Sequence, residues 1–373
     1  MPPHPHRPPE LAGQVFRGSD AVRRGLLSRH HLRGASWVRL RQDVYADARL
    51  DRDHELACRA VLLRMPPDAL IAGPSAAYLH GVEHAAAFTD DVHVLLPATV
   101  RADSQPGVRV HHAPIVGGHG GLAVDRGLPR SGRHVPAEVG GPGDLGPSRR
   151  GLVTATPIRL HTPTATSTAT ATRPGSLIGP PGPAGRPHLT GSPHLTGATG
   201  PPRTAPAACA WETAVWGDPV RAVRIIDGLL RIAAVNQAAL ATEAARNAGR
   251  PGGRRAAWVF GLTDGCARSA HESHLRVRLV LAGLPRPVAR HPVRVPAGLV
   301  RHPALAWPDF RVAVEYDRRR HADPDPPPDR HRLDELAEAG WLVLHVTGEH
   351  LRGEFPALVR KIRAALVARG WRP

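Results

Sequence analysis

Three cysteines, a single lysine (Lys361) and an aromatic content of 4% define this chain first by what it lacks. Cys58, Cys209 and Cys266 lie far apart, which excludes a disulfide scaffold and any C-x-x-C zinc site and fits a reducing compartment. No apolar run reaches the length of a membrane helix. The opening residues, Met1 to Glu10, are proline-rich and lack the apolar stretch of a secretory signal. A cytoplasmic protein without membrane association is expected.

What is abundant is equally informative. The chain carries 40 Pro and 38 Gly in 373 residues, so part of it is not expected to pack. At about 100–200 residues per domain, two domains are expected. The formal net charge is +17, which favours polyanions, nucleic acid before membrane. Nearly all of that charge is arginine. With so much Ala, Gly and Pro, it also fits a GC-rich coding bias, so charge alone leaves nucleic-acid binding open.

Composition divides the chain. Residues 1–15 read as a disordered lead and 16–116 as globular. Residues 117–206 form a low-complexity Pro/Gly/Thr-rich insert with a tandem Pro-His-Leu-Thr-Gly, at Pro187 and Pro193. Such a segment buries too little surface to offset its chain entropy and is expected to be disordered. Residues 207–264 read as a helical connector, with helix starts at Asp218-Pro219 and Asn236. Residues 265–370 are globular again.

In the first globular part, Ser19 or Asp20 is placed to cap a helix through Leu27. Ser28 is placed to cap a second, Arg29 to Arg33, stopped by Gly34. Trp37–Leu40 and Val44-Tyr45 then flank a polar turn, Arg41–Asp43. Helix, helix and hairpin is the order of a winged helix, whose second helix enters the major groove. Arg29, His30, His31 and Arg33 would sit on the reading helix, with Arg39 and Arg41 on the wing. Any small α+β domain can share this order, and the histidines read equally as plain surface residues. Further on come a helix from Asp53 to Met65, a short helix at Pro74–Gly81, and strands at Val92–Leu96 and Val108–His112.

In the last part, Ser269-Ala-His-Glu272 is a capping box opening a helix. Strands at Leu299–Trp307 and Phe310–Asp317 surround a turn at Pro308-Asp309. A helix over Arg330–Ala339, a buried-type strand Trp341–Val346 and an amphipathic helix through Leu366 complete the order α–β–β–α–β–α. Glu315 and Asp317 stand at i and i+2 of one strand, so both face one side. A pair of carboxylates suits a hard cation such as Mg²⁺, which polarises a phosphodiester and activates water.

Two resemblances add to this reading. "GLLSRHHLRGASWVRLRQDVYAD" followed by "GPSAAYLHGV" resembles the N-terminal region of AbiEi-type antitoxins, which implies a winged helix that binds promoter DNA. "LAWPDFRVAVEYD", a later histidine, and "DRHRLDELAEAGWLVLHVT" resemble the Vsr-like endonucleases known as domain of unknown function 559. These belong to the restriction-endonuclease-like PD-(D/E)xK superfamily. The expected fold class is therefore an α+β winged-helix-type region, a long disordered insert and an α/β endonuclease-like domain. The second resemblance implies Glu315 and Asp317 as metal ligands and Glu272 and His321 as further catalytic residues. It also aligns Asp329 and Arg332 with helix positions of that family, Arg332 as a phosphate contact or a salt-bridge residue. The capping box explains Glu272 equally well.

The sequence departs from the family at three places. The first-strand aspartate is replaced by Ala304, which a turn centred on Pro308-Asp309 would set opposite Ala313, on the face of Glu315. Asp309 is six residues from Glu315, about 20 Å along a strand, and cannot replace it. His302 is a candidate substitute ligand, though a surface role is the simpler reading. Arg318 follows Asp317 where glycine is usual and would compete with a metal. Thr154-Ala-Thr-Pro157 and Arg203-Thr-Ala205 look like fragments of one "R-T-A" segment split by the insert. The expectation is a DNA-binding protein with metal-dependent phosphodiester hydrolysis impaired by Ala304. The alternatives are a non-enzymatic AbiEi-like regulator, with a toxin partner or a homodimer, and a decaying reading frame.

Overall fold

The computed structural model describes residues 6–113, 124–125, 200–296, 298–317 and 330–373, with backbone only at 124, 125, 317 and 330. It is a mixed α/β structure; of the insert expected over 117–206, only 124–125 and 200–206 are described, and the expected disorder otherwise falls on residues outside the described ones.

The first 50 residues build a small sheet. Strand β1 (Val15–Arg17) leads into helix α1 (Gly18–Arg23), and β2 (Trp37–Arg41) and β3 (Val44–Asp47) form a hairpin. The antiparallel strand order is β1-β3-β2, packed around Leu11, Phe16, Ala21, Leu27 and Trp37. The lead is not disordered from residue 6 onward. Leu11 is buried, and the Gly13 N–H and the Arg7 side chain both reach the buried carboxylate of Asp47.

Helix α1 stops at Arg23 rather than Leu27. Gly25 has φ 69°, and the N–H of Leu26 turns back to the Ala21 carbonyl. A left-handed glycine of this kind ends a helix without a Cβ clash. Its start is capped neither by Ser19 nor by Asp20. Asp43, from the hairpin turn, accepts from the Ser19 N–H and hydroxyl. The expected reading helix is a single 3-10 turn, His31–Arg33. Only five residues separate Ser28 from Gly34, too few to offset the cost of helix nucleation.

The middle of the molecule is one unit assembled from both sides of the insert. Asp53 caps α2 (His54–Leu62) through the Leu56 N–H, and the helix ends ahead of Pro66-Pro67. Strand β4 (Leu70–Ile71), helix α3 (Gly73–Leu79) and strands β5 (Val92–Pro97) and β6 (Val108–Ala113) follow. Strands β5 and β6 run parallel rather than as a hairpin. Beyond them lie β7 (Val124–Asp125) and β8 (Arg203–Thr204), completing a sheet of order β6-β5-β4-β8-β7. Arg203 and Thr204 of the fragment Arg203-Thr-Ala205 are thus part of the sheet, although the insert was expected to extend to residue 206.

Helices α4 (Pro206–Trp216), α5 (Pro219–Arg231), α6 (Gln237–Arg246) and α7 (Gly253–Gly261) then cover it. Asp218 and Asn236 cap α5 and α6 as the sequence suggests. These helices are not a connector. Cys209, Val223, Ile226 and Val259 share one core with Val61, Ile71, Val94 and Val108.

The last part opens with α8 (Ala270–Leu281), capped by Ser269. Short strands β9 (Val288–Ala289), β10 (Val293–Arg294), β11 (Val300–Arg301) and β12 (Leu305–Trp307) precede β13 (Val312–Asp317). Helix α9 (Arg330–Glu338), strand β14 (Leu342–Thr347), α10 (Gly348–Arg352) and α11 (Phe355–Ala368) close the chain. The single strand expected over Leu299–Trp307 is broken at Pro303, which has no N–H to give a ladder. The sheet order is β14-β13-β12-β9, with β13 and β14 parallel.

Helix α8 belongs to two cores. Leu275 and Leu279 pack with Leu305, Val314 and Ile362, while Val277 joins the middle core. On that second face Arg276 meets Asp227 of α5 at 2.7 Å, both side chains at most 1% exposed. Arg276 also donates to the Leu262 carbonyl at 2.5 Å, and Asp227 accepts from the Asp264 N–H. Removing one partner strands the other charge in the interior. Asp227→Ala is therefore expected to cost about 3–5 kcal/mol in urea unfolding, and Asp227→Leu with Arg276→Met to recover most of it.

Glu212 predicts a pH effect. Burial pushes its carboxyl up to about 8, against the pull of hydrogen bonds from the Gly73 N–H and the Thr204 hydroxyl. A carboxyl with a raised folded value stabilises fully below its unfolded value, about 4.3, and loses that contribution as pH rises to about 8. Glu212→Gln keeps an acceptor without the titration. Its melting temperature is expected to gain on wild type steadily between pH 5 and pH 8.

Candidate functional site

The basic residues of the first sheet differ in exposure and in partners. Arg29, His30, Arg33 and Arg39 are exposed. Arg41 is half-buried, and its guanidinium donates to the Pro106 and Gly107 carbonyls. That ties the hairpin to the loop before β6, so Arg41 is not a free wing arginine.

The "GPSAAYLHG" stretch carries a buried polar network. The Nδ1 of His54 donates to the Ala87 carbonyl at 2.7 Å, so its Nε2 accepts from the Ser75 hydroxyl at 2.8 Å. Ser75 in turn accepts from the His93 N–H. Burial holds His54 below its ordinary value. Both members of this Ser–His pair are fully buried and no carboxylate meets the second ring nitrogen, so the pair fixes α3 to α2 and β5. Nearby, His93 and His111 are pushed down to about 4 by burial, with Nδ1 and Nε2 3.0 Å apart. Trp216 lies flat on the His111 ring. These groups were not singled out from the sequence, because their members lie on different elements, Trp216 more than a hundred positions from His111.

The C-terminal sheet gathers the remaining candidates. Strand β12 pairs with β13 through Leu305–Val314, Ala306–Ala313 and Trp307–Val312. Continuing by one residue sets Ala304 opposite Glu315, two positions from the expected partner Ala313. The reason is the wider turn. Pro308–Phe310 forms a 3-10 turn and Arg311 takes φ 48° before β13 begins. On the other side, Leu305 pairs with Ala289, and the Arg290 N–H donates to the Ala304 carbonyl at 3.3 Å. Glu315 stands beside His345 in the parallel register. One row across four strands therefore reads His345, Glu315, Ala304, Arg290.

Helix α9 closes over this row through Leu336, which packs with Val293, Val295 and Val343. It delivers Arg332, whose Nε donates to Glu315 Oε1 at 2.9 Å and whose Nη2 donates to the His302 carbonyl. Here the alternative of a salt-bridge residue for Arg332 holds. His302 gives its Nδ1 to the Arg290 carbonyl, and Asp309 is exposed in the turn.

Glu272 is buried at the start of α8, accepting from the Arg268 N–H and facing the Ser269 hydroxyl. The capping role is thus filled. Glu272 also lies within the electrostatic reach of Arg290, as Glu315 does. Arg290, not singled out from the sequence, is the residue the fold brings between both glutamates. Burial, Arg268 and Arg332 all hold its guanidinium below its ordinary value, against the opposite pull of Glu272 and Glu315.

The described residues do not fit a divalent cation. Ala304, 3% exposed, offers no oxygen from its side chain, Glu315 is engaged by Arg332, and Arg290 adds a second positive charge. Among the described residues no three His, Cys, Asp or Glu side chains group as ligands. The Asp317 side chain, Arg318, His321 and Asp329 lie outside the described residues. Among those described, no helix is long and apolar enough to cross a membrane.

No family model matches the sequence, and no solved structure matches it significantly. Two uncharacterized proteins of Mycobacterium tuberculosis, Rv2248 of strain H37Rv and MT2308 of strain CDC 1551, are each 32% identical to it over 161 residues. The match covers 43% of this chain, and the chain spans 59% of the length of these relatives.

The geometry separates the arginines by role. Arg41→Ala is expected to lower stability by about 1–2 kcal/mol through its two carbonyl contacts, measured by urea unfolding. Arg33→Ala is expected to leave stability within about 0.5 kcal/mol.

Proposed function

We propose that this chain is a DNA-binding protein whose C-terminal part descends from a Vsr-like endonuclease and holds DNA without cutting it. The observation that carries the reading is the sheet row itself. An alanine stands where the resemblance calls for a metal-binding aspartate, directly beside Glu315, and Glu315 is already paired with Arg332. Hydrolysis by this route needs a divalent cation held by carboxylates. Among the described residues, one ligand is lost and two guanidiniums, Arg290 and Arg332, stand near Glu315, which weighs against holding it. The net charge of +17 and the exposed Arg29, Arg33 and Arg39 support binding to the phosphate backbone. The same row favours a second reading, a non-enzymatic regulator of the AbiEi-like kind acting at a promoter, since binding alone is all such a role requires.

Plasmid nicking in Mg²⁺ and in Mn²⁺, run beside a band-shift assay, tests the proposal. Wild type is expected to shift DNA and to nick no faster than Glu315→Ala. Nicking by wild type that Glu315→Ala abolishes overturns the loss of catalysis. Failure to shift DNA at low salt overturns DNA binding.

A further inference from the structure

We propose that Arg290, with Arg268 and Arg332 beside it, forms a binding site for a phosphate group that works without metal, on the row where Ala304 replaces a carboxylate. The inference deepens the DNA-binding reading, since the phosphodiester backbone is the expected source of that phosphate. The site itself requires only the anion.

Four observations carry it. First, the charges of the described side chains do not balance. Arg290 feels two other guanidiniums, Arg268 and Arg332, and two carboxylates, Glu272 and Glu315. Glu315 is taken by Arg332, and Glu272 receives the Arg268 N–H and faces the Ser269 hydroxyl at the start of α8. Among the described residues one positive charge is left over. Second, the Arg290 guanidinium has no hydrogen bond or ion pair among the described residues, although it is half-buried. A guanidinium withdrawn from water gains most from a bidentate oxyanion, for which its fork of donors is shaped.

Third, the position between Arg290 and Glu315 on that row carries no charge, since Ala304 stands there. Neighbouring strands stand about 4.8 Å apart, so Arg290 and Glu315 are about 10 Å apart across Ala304. An aspartate at 304 would place a carboxylate next to Arg290 and neutralise it. Alanine leaves the cation unspent. Fourth, Arg290 is held at φ 56°, a left-handed conformation in which glycine is at ease and a long side chain is strained. Its carbonyl is fixed by His302 and its N–H by Ala304, so the strained conformation is locked from both sides.

A phosphodiester carries one negative charge and two free oxygens. It matches the surplus in charge and the donor fork in geometry, and it relieves the crowding of Arg290 by Arg268 and Arg332. A divalent cation would add to that crowding. The same row thus favours the anion that a nuclease would act on over the metal that it would act with.

The test uses the full chain and two probes, a fluorescein-labelled 20-base-pair duplex followed by anisotropy and inorganic phosphate followed by calorimetry. Both are run in EDTA and again in Mg²⁺. The variants are Arg290→Gly, which suits the left-handed backbone and so keeps the fold, Arg290→Lys and Ala304→Asp. Wild type is expected to bind the duplex equally with EDTA or Mg²⁺. Arg290→Gly should weaken it roughly tenfold and reduce the slope of log affinity against log salt by about one. Arg290→Lys should keep the slope but lose part of the affinity, and Ala304→Asp should mimic Arg290→Gly. Duplex binding by Arg290→Gly with wild-type affinity and slope overturns the site while leaving DNA binding standing. Phosphate binding that Arg290→Gly abolishes, with no duplex binding by wild type, upholds the site and overturns DNA as its source. Binding that appears only with Mg²⁺, or binding of neither probe, overturns the inference.

Discussion

The ion pair between Asp227 and Arg276 is the contact on which the arrangement of the chain depends. It lies out of water, between a helix of the middle unit and α8, the helix that opens the last part. A buried pair of this kind adds little net stability against well-packed apolar side chains, but its loss on one side is severe. Its consequence is therefore register more than strength. Because Leu275 and Leu279 face one core and Val277 the other, α8 has a single acceptable rotation, and the pair marks it. That rotation brings Glu272 toward the end of the β9–β12 ladder, where Arg290 is. The electrostatics of the candidate site are thus set by a contact on the far side of the same helix.

The row His345, Glu315, Ala304, Arg290 then decides what the site can do. Carboxylates lined up across adjacent strands attract a hard cation. Substituting alanine at the centre and arginine at the edge reverses the field. The result, among the described residues, is a site with more guanidinium than carboxylate. Binding to phosphate and loss of metal-dependent cleavage are, on this reading, one change in charge seen from two sides.

Much of the local structure was legible because it is written in local signals. Asp53, Asp218, Asn236 and Ser269 cap their helices as their sequence context suggests, since a cap needs only the next three backbone N–H groups. In the last part α8, β13, α9, β14 and α11 were also legible, because apolar periodicity survives there, whereas β9, β10 and α10 were not foreseen and the strand over Leu299–Trp307 is split. Failures came where a distant group took over. Asp43 caps α1 in place of Ser19, and Arg41 left the wing for the Gly107 loop. Leu11 and Gly13, in a segment that composition marked as disordered, are held by a core and by Asp47. Composition describes a segment's own ability to pack and is blind to what another segment offers it.

By itself the sequence determined many of the elements, the caps at Asp218, Asn236 and Ser269, the carboxylate at Glu315 and the absence of one at Ala304. These follow from residue type and from spacing within a single element, where the period of 3.6 or 2 fixes which side chains share a face. Only the tertiary structure decided who meets whom. A loop two residues longer than expected, at 308–311, moved Ala304 by two positions to stand against Glu315. The pairing of β9 with β12 brought Arg290 beside Ala304. Strand register across a sheet depends on turn width and on which edges find each other, and neither is encoded in the period of any one strand.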